Sequence, residues 1–230
     1  MIGCLLALSL LQQPGAGAPG AGTAVDEGVF VVRLDTLEVA RESFRLSQGR
    51  LSRGEIGWSL ATTIRFDRSR PVVVLAPILE VSGDTMPITL QYDVADPRDP
   101  SRVLGQLGRG RFTVRYVTRA SEKAREFPTG KRALVLDDSV FALYLFAAWL
   151  ASSEQGEVTA ILPRSLRRES VVLRDQGVES TTLNRDPARL RHVLVTREGG
   201  EAVHLWLDTA GRLMKVEIPS RRLTAERPPQ

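Results

Sequence analysis

Residues 190–218 read LRHVLVTREGGEAVHLWLDTAGRLMKVEI, and the fold class follows from this stretch. Gly199-Gly200 is a two-residue hairpin signal, because adjacent glycines supply the positive φ angles that tight hairpin turns require. With Glu198 facing Glu201, Leu194 shares a face with Val203, Leu205 and Leu207. Asp208-Thr209-Ala210-Gly211 reads as a second turn, which sets Leu205 opposite Met214 and Val203 opposite Val216. Two turns thus place Leu194, Val203, Leu205, Leu207, Met214, Val216 and Ile218 on one surface. Lys215 and Glu217 fall on the other. That is the alternation of a three-stranded antiparallel meander with one wet face.

Upstream, short alternating runs bounded by turn chemistry continue the β pattern. Strands are predicted at 28–34, 36–46, 51–66, 72–81, 88–94, 111–118, 133–136, 158–162 and 170–174, with a turn at Ser47-Gln48-Gly49-Arg50. Asp96-Pro97-Arg98-Asp99-Pro100 is a loop, since its two prolines remove backbone donors. One segment breaks the pattern. From Val140 to about Ser152, with Asp137, Asp138 or Ser139 as cap, the sequence FALYLFAAWL is helical and apolar on every side. Such a helix needs cover around most of its circumference. The predicted class is therefore mainly β (β-rich α+β): a curved antiparallel sheet, or half-barrel, wrapped around the helix at 140–152.

The 230 residues, 43% of them apolar, suffice for one domain, placed at 25–227 with a disordered tail at 228–230. The 31 basic and 27 acidic side chains leave a formal charge of only +4. The basic residues are dispersed, with Lys only at Lys123, Lys131 and Lys215, which is not the footprint of a nucleic-acid binder.

Ile2 to Leu11 is an apolar run followed by Gln12-Gln13-Pro14 and a small-residue stretch to Ala24. It has the length of a secretory h-region and is too short to span a bilayer. Residues 1–24 are accordingly expected to be a signal peptide and linker cleaved before Val25, although no Lys or Arg precedes the run. The mature chain would then lack the single cysteine, Cys4, and carry no transmembrane helix. A disulfide framework or a cysteine-based site would be excluded.

No stretch has the spacing of a catalytic, metal or cofactor site. In the register above, His192 and His204 fall on opposite faces of their hairpin, so no shared metal site is expected. Gly15-x-Gly17-x-x-Gly20 matches a dinucleotide fingerprint in letters only, with no strand before it. Thr129-Gly130-Lys131 reads as a turn, because Arg125 and Arg132 stand where a phosphate loop needs Gly and Ser or Thr. Glu38, Arg41, Glu42 and Arg45 read as a solvated charged face. The candidate positions for lining a ligand cavity beside the helix are Phe141, Tyr144, Leu145, Trp149, Leu205 and Met214.

The closing stretch, Val203 to Asp208 and Gly211 to Pro219, together with a leading apolar segment and long early strands, resembles uncharacterised bacterial envelope proteins. These are related in shape to the lipoprotein-carrier half-barrels, in which a curved sheet closes over helices around an apolar cavity. The resemblance implies a periplasmic location and binding of something apolar. With no catalytic spacing in the chain, it is expected to be a non-enzymatic envelope protein binding a lipid or a lipidated protein, the alternatives being a packed-core interaction or scaffold module and, last, a hydrolase using His192 or His204. This chain departs from the carriers in having one clear helix where they have several.

Overall fold

The fold was obtained as a computed structural model, which describes residues 22–153 and 155–229. The apolar run at 2–11, and with it the expected export signal, lies outside the described residues. Eight strands form a continuous meander: β1 (Thr23–Leu34), β2 (Leu37–Arg50), β3 (Ile56–Phe66), β4 (Val73–Ser82), β5 (Pro87–Ala95), β6 (Ser101–Gly108), β7 (Arg111–Thr118) and β8 (Glu122–Pro128). A short β9 (Ala133–Val135) leads into the helix α1 (Tyr144–Ser153) and β10 (Gly156–Leu162). A second meander completes the chain: β11 (Arg167–Leu183), β12 (Asp186–Arg197), β13 (Ala202–Leu207), β14 (Leu213–Ile218) and β15 (Leu223–Glu226).

All fifteen strands belong to one open sheet, ordered β8-β7-β6-β5-β4-β3-β2-β1-β15-β14-β13-β12-β11-β10-β9. The two meanders join where β1 pairs antiparallel with β15, from Val31 opposite Glu226 to Leu34 opposite Leu223. Only β9 and β10 run parallel, and α1 is the crossover that a parallel pair needs. The β9 end of the sheet is tucked against β5, and the following Pro163–Ser165 turn lies against β6 and β7, so the sheet curls over α1. The expected mainly β fold around one helix is what is observed.

Alternation along the strands decides what faces inward. On β2, Ala40, Glu42, Phe44 and Leu46 are buried while Arg41, Ser43 and Arg45 are exposed. On the second meander the inner face carries Val193, Val195, Val203, Leu205, Leu207, Leu213, Val216 and Ile218, all essentially inaccessible. Burying a Val, Leu or Ile fully contributes about 1.5–3 kcal/mol each, so this strip is a principal source of stability. Gly105 serves close packing: a Cβ there would meet the Phe112 ring at 2.5 Å.

Several expectations are corrected. The chain stays extended through Ser47–Arg50, and the turn falls at Leu51–Glu55, where Gly54 holds φ +92°. β1 begins at Thr23, inside the expected linker, and Arg227 near the tail is buried, closing a bidentate pair with Asp26 (3.0 and 2.5 Å). Strands β6, β8 and β15 were not predicted. The helix starts at Tyr144, after Val140–Leu143 wind through tighter turns such as Tyr144 N–H to Phe141 carbonyl at 3.1 Å.

The register of the Gly199-Gly200 hairpin is shifted by one residue. Gly200 N–H bonds to the Arg197 carbonyl (2.9 Å) and Arg197 N–H to Glu201 (2.8 Å), so the turn consumes one residue more than a two-residue loop. Val193 then faces Leu205, and Val195 faces Val203. A one-residue slip moves every side chain across the sheet. Leu194 consequently leaves the core face, and His192 joins His204 on the outer face. A bulge between Trp206 and Leu207 pairs Leu213 with Leu207. Leu213 takes the inward place expected for Met214, which lies outside the core cluster.

Candidate functional site

The site is built from the helix outward. Glu42, fully buried on β2, accepts the N–H groups of Phe141 (2.8 Å) and Ala142 (3.0 Å) and the Thr62 hydroxyl (2.7 Å). A carboxylate at the start of a helix satisfies donors that have no intrahelical partner. Burial, only partly offset by these bonds, pushes the Glu42 carboxyl up to about 7. The expected cap residues do other work: Asp137 holds Arg164 (2.6 and 2.7 Å) and accepts Tyr92 Oη–H (3.2 Å). The charged-face reading of 38–45 is corrected at Glu42, which points into the protein.

Anchored there, α1 directs its far end toward the rim of the sheet. Trp149 Nε1 donates to the Gly211 carbonyl (3.1 Å), which orients the indole. Trp58, from β3, meets it edge-on with centroids 5.0 Å apart, and Phe146 abuts its other side at 5.8 Å. The two indoles border a cleft of about 1490 Å³ between the turns at Gly83–Met86 and Thr129–Ala133 and the starts of β10 and β11. Met86, Leu150 and Val158 extend its apolar part. Lys131 and Arg168, both exposed, supply positive charge, while Asp84, Glu157 and Glu198 supply negative charge.

A fourth wall carboxylate, Glu169, is almost fully buried and neutralised by Arg197 Nε at 2.6 Å. Arg197 also reaches Asp138 and Glu201, and Arg221 bridges the same two acids at 3.3 and 2.6 Å. This network braces the wall. The cleft therefore combines an aromatic corner with charged side chains of both signs.

Of the expected cavity-lining residues, Trp149 borders the cleft. Phe141, Tyr144, Leu145 and Leu205 lie in the packed interior, each no more than 2% exposed, and Met214 is outside both. Trp58, Met86, Lys131 and Arg168 were not anticipated, because they come from separate strands and turns that the curl of the sheet brings together. Thr129-Gly130-Lys131 is the turn expected, with Gly130 at φ +59°, and it forms one lip.

The histidines are corrected most. His192 Nε2 and His204 Nδ1 are 2.9 Å apart, and His192 Nδ1 lies 2.9 Å from Glu179 Oε2. Trp206 stacks on His192 with centroids 4.2 Å apart. The group occupies the outer face, on the side of the sheet away from α1. Among the described residues no cluster of three or more His, Cys, Asp or Glu is arranged to hold a metal ion, and no helix is long and apolar enough to cross a membrane.

No family model matches the chain, and no curated protein matches it. Among solved structures, the chain is similar to the crystal structure of a β-barrel-like protein of domain of unknown function DUF1849 from Brucella abortus. The match has a TM-score of 0.53 at 9% sequence identity and covers 90% of this chain and 96% of that one. At that identity the likeness shows the architecture: this chain has a β-barrel-like antiparallel fold similar to that of a bacterial protein whose own function is unknown.

Proposed function

We propose that this chain is an exported, non-enzymatic protein of the cell envelope whose cleft binds a lipid-like amphiphile. On this reading it is a distant relative in shape of the lipoprotein-carrier half-barrels that its closing stretch resembles. The observation that carries the reading is the aromatic corner of Trp58 and Trp149, continued by Met86 and Leu150, beneath a rim bearing both signs of charge. Pockets of this kind orient a ligand through a few polar groups while apolar surface supplies affinity. Mixed charge favours a zwitterionic head group over a purely anionic one. The interior around α1 is filled by side chains, which directs the ligand to the end of the helix.

Calorimetric titration of the full chain with monomeric dodecylphosphocholine, below its micellar concentration, tests this. One saturable site is expected, weakened at least tenfold in Trp149→Ala and also in Lys131→Glu, a change at an exposed residue. Absence of saturable binding would instead favour a scaffold that contacts other envelope proteins, the function to which the filled interior is equally suited.

A further inference from the structure

The long hairpin of β11 and β12 outruns both of its neighbours. The ladder with β10 ends at Leu173 opposite Gly156 and that with β13 at Arg191 opposite Leu207, whereas β11 and β12 stay paired to Leu183 opposite Asp186. Among the described residues, no strand flanks this distal ribbon, 178–191, on either side. A bare two-stranded ribbon is marginal in water, so other contacts hold this one in place. Its two faces differ. One carries Val178, Ser180 and Thr182 of β11 with Pro187 and Arg189 of β12, all exposed. The other carries Thr181, Leu183 and Ala188, half-buried, and Leu190, buried, with Glu179 and Asp186 exposed at its margins. That alternation marks a ribbon with one covered face. The cover is the outer face of the sheet. The Thr182 carbonyl accepts Lys215 Nζ of β14 (3.2 Å), and Asn184 Nδ2 donates to the Arg227 carbonyl beyond β15 (2.6 Å). Lys215 and Trp206 are no more than 7% exposed although their side chains oppose the core face.

We propose that the ribbon is a hinged strap, pinned at its tip, that lifts from the outer face as a unit. Lifting uncovers the strip formed by its own Leu183, Ala188 and Leu190 and by Trp206 and Lys215 of the sheet. The hinge is the bulge after Asp175, where Gly177 holds φ +82°, a conformation that glycine adopts without steric cost. Arg191 clasps Asp175 at this level (2.5 Å) and marks where the moving part ends. The contact of Glu179 with His192 lies within the hairpin, so it does not tie the ribbon to the sheet, and that task falls to the tip.

The two pins are of a kind that water replaces. When the Thr182 carbonyl leaves, Lys215 keeps Glu217 of its own strand (3.1 Å) and Glu226 of β15 (3.5 Å) as partners, so lifting strands no unpaired charge. The core residues beneath, Val203, Leu205 and Val216, face the other side of the sheet and stay covered. The closed and lifted forms thus differ by the pins and one apolar strip, the mark of a unit that opens well below the cost of global unfolding.

Hydrogen exchange of the full chain at pH 7 tests the strap. Asn184→Ala and Lys215→Met each remove one pin and are expected to lower the protection of the ribbon amides at 178–191 at least tenfold, while Val193, Val195, Val203 and Leu205 keep theirs. Arg189→Ala, on the exposed face of the ribbon, should change neither set. Unaltered ribbon protection in both pin variants would overturn the proposal. So would an equal loss in the ribbon and in the core, since the ribbon would then not open as a unit of its own.

Discussion

Replacing Glu42 by Gln should make the pH–stability curves of the variant and the native protein cross. The native carboxyl is pushed from an ordinary 4.5 up to about 7, chiefly by burial. At about 1.4 kcal/mol per pH unit, the difference amounts to about 3 kcal/mol. Because the folded-state value is raised, the native state holds a proton that the unfolded chain releases. Stability is therefore full below about pH 4.5, declines as pH rises, and reaches its floor above about 7. In the protonated form Oε1–H can donate to Thr62, whose own hydroxyl turns to the Ser43 carbonyl at 3.0 Å, while both helix N–H groups keep an acceptor. Glutamine cannot satisfy all of these: with its oxygen toward Phe141, its amide nitrogen opposes Ala142 N–H, a loss of about 1 kcal/mol. Urea denaturation followed by circular dichroism from pH 3.5 to 8.5 should thus find Glu42→Gln about 1 kcal/mol less stable at the acid end, with the curves crossing slightly above pH 5. At the alkaline end it should be about 2 kcal/mol more stable. A pH-independent difference between the two proteins would refute the reasoning, and any titration common to both cancels in the comparison.

Gly105→Ala drives a methyl against the Phe112 ring and should destabilise the fold by about 1–3 kcal/mol, with partial recovery in Gly105→Ala/Phe112→Leu, read as a coupling energy in chemical denaturation. Arg197→Met leaves Glu169 buried without its cation and should cost about 3–5 kcal/mol, most of it regained when Glu169→Leu is added; thermal melts of the single and double variants check this. Arg227→Lys keeps the charge but loses the fork on Asp26 and the guanidinium lying over Phe44 (4.7 Å). A loss of about 1–3 kcal/mol is expected in equilibrium unfolding, and an unchanged midpoint would deny the pair its role.

Period-two patterning made the sheet legible wherever one face was wet, as on β5, β7 and β13. It failed where the pattern carried no preference. Val193-Leu194-Val195 is apolar at three successive positions, so either register looked sound, and only the extra residue in the turn moved His192 to the side of His204. Glu42 had a readable signal in Ala40, Phe44 and Leu46, which share its parity and are buried; its charge masked its place in the alternation. Strand β8 reads EKAREFP and buries only Phe127, so neither apolar alternation nor turn residues marked it. The cleft was illegible for another reason. Trp58 and Trp149 meet because β3 and α1 come to one rim of the curled sheet, a consequence of topology that local periodicity does not encode.

The seam between β1 and β15 bears on how the protein comes into being. These strands are neighbours near the middle of the sheet, yet nearly two hundred residues separate Val31 from Glu226. On a ribosome, β15 emerges after the other fourteen strands, so until then the flank of β1 stays an open edge, and so does the flank of β14. Pairings this remote in sequence are slow to form, and open edges invite pairing with other chains. The last strand therefore acts as a zip, turning two incomplete meanders into one sheet, and a nascent chain depends on being kept from premature association until that strand is free to insert.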